Sequence, residues 1–228
     1  MSQAPHGCRC GIAGWRTPTQ SGLGARCTHE PAAVHRSRAD LRRLIQPHGR
    51  LVSPGDLPLT GTELPTLLVY VMDIYDPASW AYLPSVSAVL GSVPSGVEVE
   101  VVQSGRLAAR APAACLIALL AAGELPVSTV LEAVQHAYFV ESRPLDSPGV
   151  VESVAEALGL DGPAVAIFAR SSRARELAAE DFELARDLDL GGGPLLLASR
   201  GEHVFEFDGP GASGDRLVDQ FRTVQTRP

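Results

Sequence analysis

Lysine is missing from this chain altogether: all 19 basic residues are arginine, beside 22 Gly and 18 Pro. That bias fits codon usage in a GC-rich genome better than a functional choice. Cysteine is nearly as scarce. Cys8, Cys10 and Cys27 lie near the start and Cys115 lies in an apolar run, so no Cys-x-x-Cys occurs and no framework of paired cysteines spans a core. This argues against a disulfide scaffold and favours a reducing compartment. Long apolar runs are lacking too. The longest, Ala111 to Ala122, is interrupted by Pro112 and is shorter than the roughly 20 residues a bilayer-spanning helix needs. The N-terminus shows no apolar stretch behind a charged start. These absences predict a cytoplasmic protein with no membrane association.

Positive charge is absent where a nucleic-acid binder would need it. Residues 1–50 carry 8 Arg against Glu30 and Asp40, a charge of +6, whereas the remainder carries 11 Arg against 24 acids, a charge of −13. Phosphate binding requires clustered cations, so the acidic part is not expected to have a nucleic-acid partner.

With 228 residues, 45% of them hydrophobic, the chain can bury one good-sized core. Residues 1–62 lack hydrophobic periodicity and read as an extension that cannot offset its ordering entropy. A misassigned start codon is the alternative, since the next methionine, Met72, already falls within the first core strand. Cys8 and Cys10, with His6, Cys27, His29 and His35, lack the second pair that a zinc site requires, and no metal is expected. The amphipathic piece Ser37–Ile45 is positive and suited to contacting the acidic remainder. Residues 63–228 form the folded domain.

Within that domain Thr66–Met72 reads as a buried strand. Asp76-Pro77 suits a helix start, because Asp caps free N–H groups and Pro at the first helical position loses no hydrogen bond. A helix follows over Trp80–Leu90. Val97–Val102 alternates at period two, predicting a second strand with one wet face. A strand–helix–strand unit of this length implies a parallel pair. From about 107 to 190 the pattern is helical, with segments at Leu107–Ala122, Pro126–Val140, Gly149–Leu158, Ala164–Arg170 and from Ser171 through Leu188. Strands return at Leu195–Ala198 and His203–Phe207, before a last helix over Asp215–Thr223. The predicted class is α/β: a thioredoxin topology with an all-helical insertion.

Three local patterns carry a resemblance. Asp73-x-x-Asp76-Pro-Ala-Ser79-Trp80 followed by Pro84 is similar to Asp-x-x-Cys-x-x-Cys-Tyr-x-x-x-Pro of the DsbA-like thioredoxin-fold family. That family includes the frenolicin-cluster type, kappa-class glutathione transferases and 2-hydroxychromene-2-carboxylate isomerases. Val134–Ser147 resembles a segment of the family's helical insertion, and Asp181–Pro194 resembles its closing helix and Gly-x-Pro loop. The resemblance covers about residues 65–225. It implies a cis proline at Pro194 facing the turn, and a ligand-binding face made of Pro77, Trp80, Gly193 and Pro194.

The same resemblance places Asp76 and Ser79 where relatives keep their two cysteines. A carboxylate suits a helix dipole but cannot exchange disulfides. Cys115 reads as a small core residue. His136, Glu141 and Arg143 read as helix-surface and pairing residues, and His203 as exposed on the closing hairpin. The resemblance therefore implies a binding or accessory protein without redox cysteines, taking a peptide, protein or small thiol ligand, with homodimerisation as another partner mode. A glutathione- or thiol-dependent isomerase or transferase is the alternative. Asp76 and Ser79 are then the candidate catalytic pair, with glutathione or another low-molecular-weight thiol as the only cofactor class to consider.

Overall fold

A computed structural model describes residues 67–105, 109–123, 125–189, 192–201 and 203–226. The expectations for residues 1–62, including the metal cluster and the Ser37–Ile45 piece, lie outside the described residues. The described elements run β1 (Leu67–Met72), α1 (Pro77–Leu90), β2 (Glu98–Gln103), α2 (Arg110–Ala121), α3 (Val127–Phe139), α4 (Val150–Ala157), α5 (Gly162–Ala169), α6 (Ser172–Asp187), β3 (Leu195–Arg200), β4 (His203–Glu206) and α7 (Gly214–Thr226).

The four strands form one sheet in the order β2-β1-β3-β4. β1 pairs parallel with β2, from Leu67 opposite Glu98 to Met72 opposite Gln103, and antiparallel with β3, with Tyr70 opposite Leu196. β3 and β4 close the sheet as an antiparallel pair. Every residue of β1 is buried, because side chains alternate between two covered faces. Leu68, Tyr70 and Met72 join a core with Tyr82, Leu83 and Val86 of α1 and Leu217, Phe221 and Val224 of α7. Leu67, Val69 and Val71 pack instead with Leu184 and Ala185 of α6. Burying each such side chain contributes roughly 1.5–3 kcal/mol.

The second layer corrects one expectation. The alternation in Val97–Val102 predicts a wet face, yet Glu100 is 2% exposed. The reason is α6, which packs against β2 and covers the face that carries the acid. Several boundaries also shift. α1 begins at Pro77 and runs through Pro84, and β3 extends past Ala198 to Arg200, whose Nη1 donates to the Val224 carbonyl at 2.8 Å.

The five helices α2–α6 form the insertion between β2 and β3. Ala113, Ala114 and Ile117 of α2 pack against Ala174, Ala178 and Phe182 of α6, so small residues allow these helices a close approach. Cys115 is buried, and its thiol donates to the Leu145 carbonyl at 3.6 Å. No helix among the described residues is long and apolar enough to cross a membrane.

Candidate functional site

The parallel pair β1–β2 ends where the chain must turn, and a cleft opens at these carboxyl ends. Its volume is about 330 Å³, and it is lined by Asp73, Asp76, Ala78, Ser104, Gly105, Gly192 and Gly193. The Asp-Pro turn and the glycine run, more than a hundred residues apart in sequence, thus meet across one opening.

Asp76 is the N-cap of α1, with extended backbone at φ −84° and ψ 121°. Its Oδ1 accepts the Ala78 N–H at 3.1 Å, and its Oδ2 accepts the Ser79 N–H at 3.0 Å and the Ser79 hydroxyl at 3.1 Å. Pro77 at the first helical position has no N–H to satisfy. Asp73 sits one turn earlier: its Oδ1 accepts the Tyr75 N–H at 2.9 Å, and its own N–H donates to Ser79 Oγ at 3.3 Å. Burial holds the Asp73 carboxyl above its ordinary range, the Tyr75 N–H opposes this, and the neighbouring Asp76 charge adds to the rise.

The far walls are bare backbone. Gly105 adopts φ +134°, and a Cβ there would stand 2.6 Å from Asp73 Oδ2 and 3.3 Å from the Phe182 ring. Gly193 adopts φ +137°, and a Cβ there would meet no described residue within 4 Å apart from its chain neighbours; only glycine takes either conformation without strain.

The predicted site residues divide. Asp76 and Gly193 line the cleft. Ser79 does not: it is fully buried and its hydroxyl bonds Asp76. Pro77 is exposed outside the cleft lining. Trp80 stacks on Phe139 with ring centroids 5.5 Å apart, tying α1 to α3. Pro194 is buried and joins none of the walls. The cis bond expected there is not found, since no peptide bond among the described residues is cis; Gly193 turns the chain into β3 through its own positive φ.

Asp73, Ala78, Ser104, Gly105 and Gly192 are not among the predicted site residues. The signal that points to them is positional, since they lie at the carboxyl ends of parallel strands and on the facing loop.

Tyr75 fastens this turn to the insertion. Its ring stacks on Tyr138 with centroids 3.9 Å apart, its hydroxyl accepts the Leu145 N–H at 2.9 Å, and it donates to Asp146 Oδ1 at 3.1 Å. Burial, then Asp146, raises the Tyr75 pKa. Elsewhere, His136 and His203 are exposed. His136 Nδ1 lies 3.3 Å from Glu141, whose other oxygen pairs with Arg143 at 2.8 Å. Cys115 is not in the cleft, and burial, with Asp146 adding, pushes its thiol up to about 11. Among the described residues no cluster of three or more His, Cys, Asp or Glu could hold a metal ion.

A mixed sheet, a capped helix springing from its first strand and an all-helical block between its halves define a thioredoxin fold with a helical insertion. Residues 93–221 match the model of the DSBA-like thioredoxin domain, and the chain belongs to that family. A search among curated proteins finds no match. Solved structures share the fold. DsbM, a cytosolic disulfide reductase from Pseudomonas aeruginosa, is 17% identical over 69% of this chain and 95% of its own, with a TM-score of 0.54. It has also been solved with GSH. Reduced DsbA1 from Neisseria meningitidis is 14% identical over 74% of this chain and 86% of its own, with a TM-score of 0.55. The DsbA of Proteus mirabilis, solved with a non-covalently bound peptide, is 17% identical over 74% and 90%, with a TM-score of 0.50.

Proposed function

We propose that this chain is a non-redox member of the family, a binding or accessory protein that uses the cleft at the start of α1 for a peptide, a protein partner or a small thiol compound. One observation carries the reading: a carboxylate, Asp76, takes both N–H groups with which the first turn of α1 would otherwise stabilise an anion such as a thiolate. Ser79, at the second position of the turn, is buried beneath it. Cys115 is in the core with a raised thiol pKa, and so holds little thiolate near neutrality. A cytoplasmic location fits the scarcity of cysteine, and a homodimer is a further partner mode.

The test is insulin reduction with dithiothreitol as electron donor. The expected result is no turnover above the uncatalysed rate. Turnover that disappears on alkylation, or on replacing any of Cys8, Cys10, Cys27 or Cys115 by Ser, would refute the reading. A glutathione-dependent isomerase or transferase is the second reading, favoured by the fold shared with a reductase solved with GSH. Glutathione conjugation and isomerisation assays separate the two: turnover supports the enzyme, whereas its absence, with or without saturable heat in a calorimetric titration with glutathione, supports the binding protein.

A further inference from the structure

We propose that α5 is the contact face of a homodimer, in which a second copy of this chain packs its own α5 antiparallel to the first. The inference gives a place to the homodimer mode above and is independent of the cleft, since no residue of α5 lines it. Gly162–Ala169 reads Gly-Pro-Ala-Val-Ala-Ile-Phe-Ala, without one polar side chain. Gly162, Val165, Ala166 and Ala169 are buried, the i, i+3, i+4, i+7 stripe that a helix turns to its core. A surface helix ordinarily carries polar residues opposite that stripe. Here the opposite side is Pro163, Ala164 and Ile167, with Pro163 exposed and Ala164 half-buried. Val140 and Ile167 are the exposed large hydrophobics among the described residues, and Ile167 is the more open of the two at 61%.

The charges at the two ends of this helix select the occupant. At its start the exposed Asp161 caps α5 by accepting the Ala164 N–H at 3.0 Å. Glu152 and Glu156 of α4 lie beside it: a Cβ on Gly162 would stand 3.1 and 2.7 Å from their Cγ atoms. At its end come Arg170, the exposed C-cap, and Arg173, which is 61% exposed and held only loosely by Glu176 and Glu180 at 3.9 and 3.7 Å. Charges of these signs complement the dipole of α5 itself. They also make the face self-complementary, as a twofold interface must be. Two copies set antiparallel bring apolar middle onto apolar middle and each acidic start against the other's arginine end. A parallel arrangement would set like charge on like charge, and a partner of one charge sign would be repelled at one end. The helix is short, so the interface falls below about 1,200 Å², at the small end of specific contacts, and a dissociation constant of roughly 10–100 µM is expected.

The test is sedimentation velocity of the full chain from about 5 to about 500 µM, a range that brackets a weak dimer. Dimer is expected to accumulate across it. Ile167→Glu should weaken association by about tenfold or more, and Glu156→Arg and Arg170→Glu by about threefold each. An equimolar mixture of the two charge variants is expected to recover wild-type association, because in an antiparallel pair each substituted end meets the other and the two native ends meet as before. Misfolding cannot produce that recovery. Should either charge variant fail to fold, wild type and Ile167→Glu decide. A dimer that Ile167→Glu leaves intact, or a mixture that recovers nothing, overturns the inference while leaving a homodimer through another surface or arrangement. A monomer at every concentration overturns both, and a urea midpoint sharply lowered by Ile167→Glu in that monomer would assign the face to a segment of the same chain. None of these results touches the cleft, which the insulin and glutathione assays test.

Discussion

Asp76→Ala is the perturbation that reports most directly on the turn. It removes the acceptor for two backbone N–H groups and for the Ser79 hydroxyl. Loss of an N-cap costs about 0.5–2 kcal/mol. The hydroxyl is fully buried, and stranding a buried donor costs about 1–3 kcal/mol. Against this, Asp73 loses a neighbouring like charge, which returns part of the cost. The net expectation is a destabilisation of about 2–3 kcal/mol at pH 7, read as a lower urea midpoint with an unchanged slope. Asp76→Asn keeps one of the two acceptors and sets an NH2 against the other N–H, so it should cost about 1 kcal/mol, less than the Ala variant. Adding Ser79→Ala to each background completes a double-mutant cycle, with an expected coupling of about 1 kcal/mol. A midpoint for Asp76→Ala within about 0.5 kcal/mol of wild type would refute the reasoning, because the carboxylate would then not be capping the helix.

Asp73 makes the opposite kind of prediction. Its folded pKa is raised, chiefly by burial, so its contribution is most favourable below the ordinary carboxylate range and is lost as pH rises through the folded value. Asp73→Asn, which retains an acceptor for the Tyr75 N–H, should therefore be more stable than wild type at pH 7, with the gap closing below about pH 4; urea melts at the two pH values check this, and a gap that widens on acidification counts against it. Gln135 is fully buried and both its side-chain polar atoms are without a partner among the described residues. Gln135→Met should then stabilise by about 1–3 kcal/mol, and a fall in thermal midpoint would show that the amide is satisfied, for instance by a buried water.

The parts of the fold that can be read in the sequence are those where local chemistry and tertiary packing agree. Asp76-Pro77 starts a helix because cap and missing donor are local facts, and the packing of β1 leaves them undisturbed. The strand Leu67–Met72 and the α2–α6 block follow from hydrophobic pattern alone. Glu100 escapes such a reading because alternation reports which residues are apolar, not which faces another element covers, and α6 arrives from more than seventy residues away. The site is half legible for a similar reason. The glycine run and the Asp-Pro turn stand out as residues, whereas Ser104 and Gly105 matter only because a parallel strand ends there. Ser79 looks chemical by its spacing from Asp76; at that spacing its hydroxyl instead closes onto the cap and is buried.

The Tyr75 hydroxyl reaches Leu145 and Asp146 across seventy residues of chain, and its ring lies flat on Tyr138. The floor of the opening and the helical block are therefore riveted at one phenol. Tyr75→Phe would remove both hydroxyl bonds while keeping the ring stack, leaving the turn that carries Asp73 and Asp76 held to the loop after α3 by packing alone.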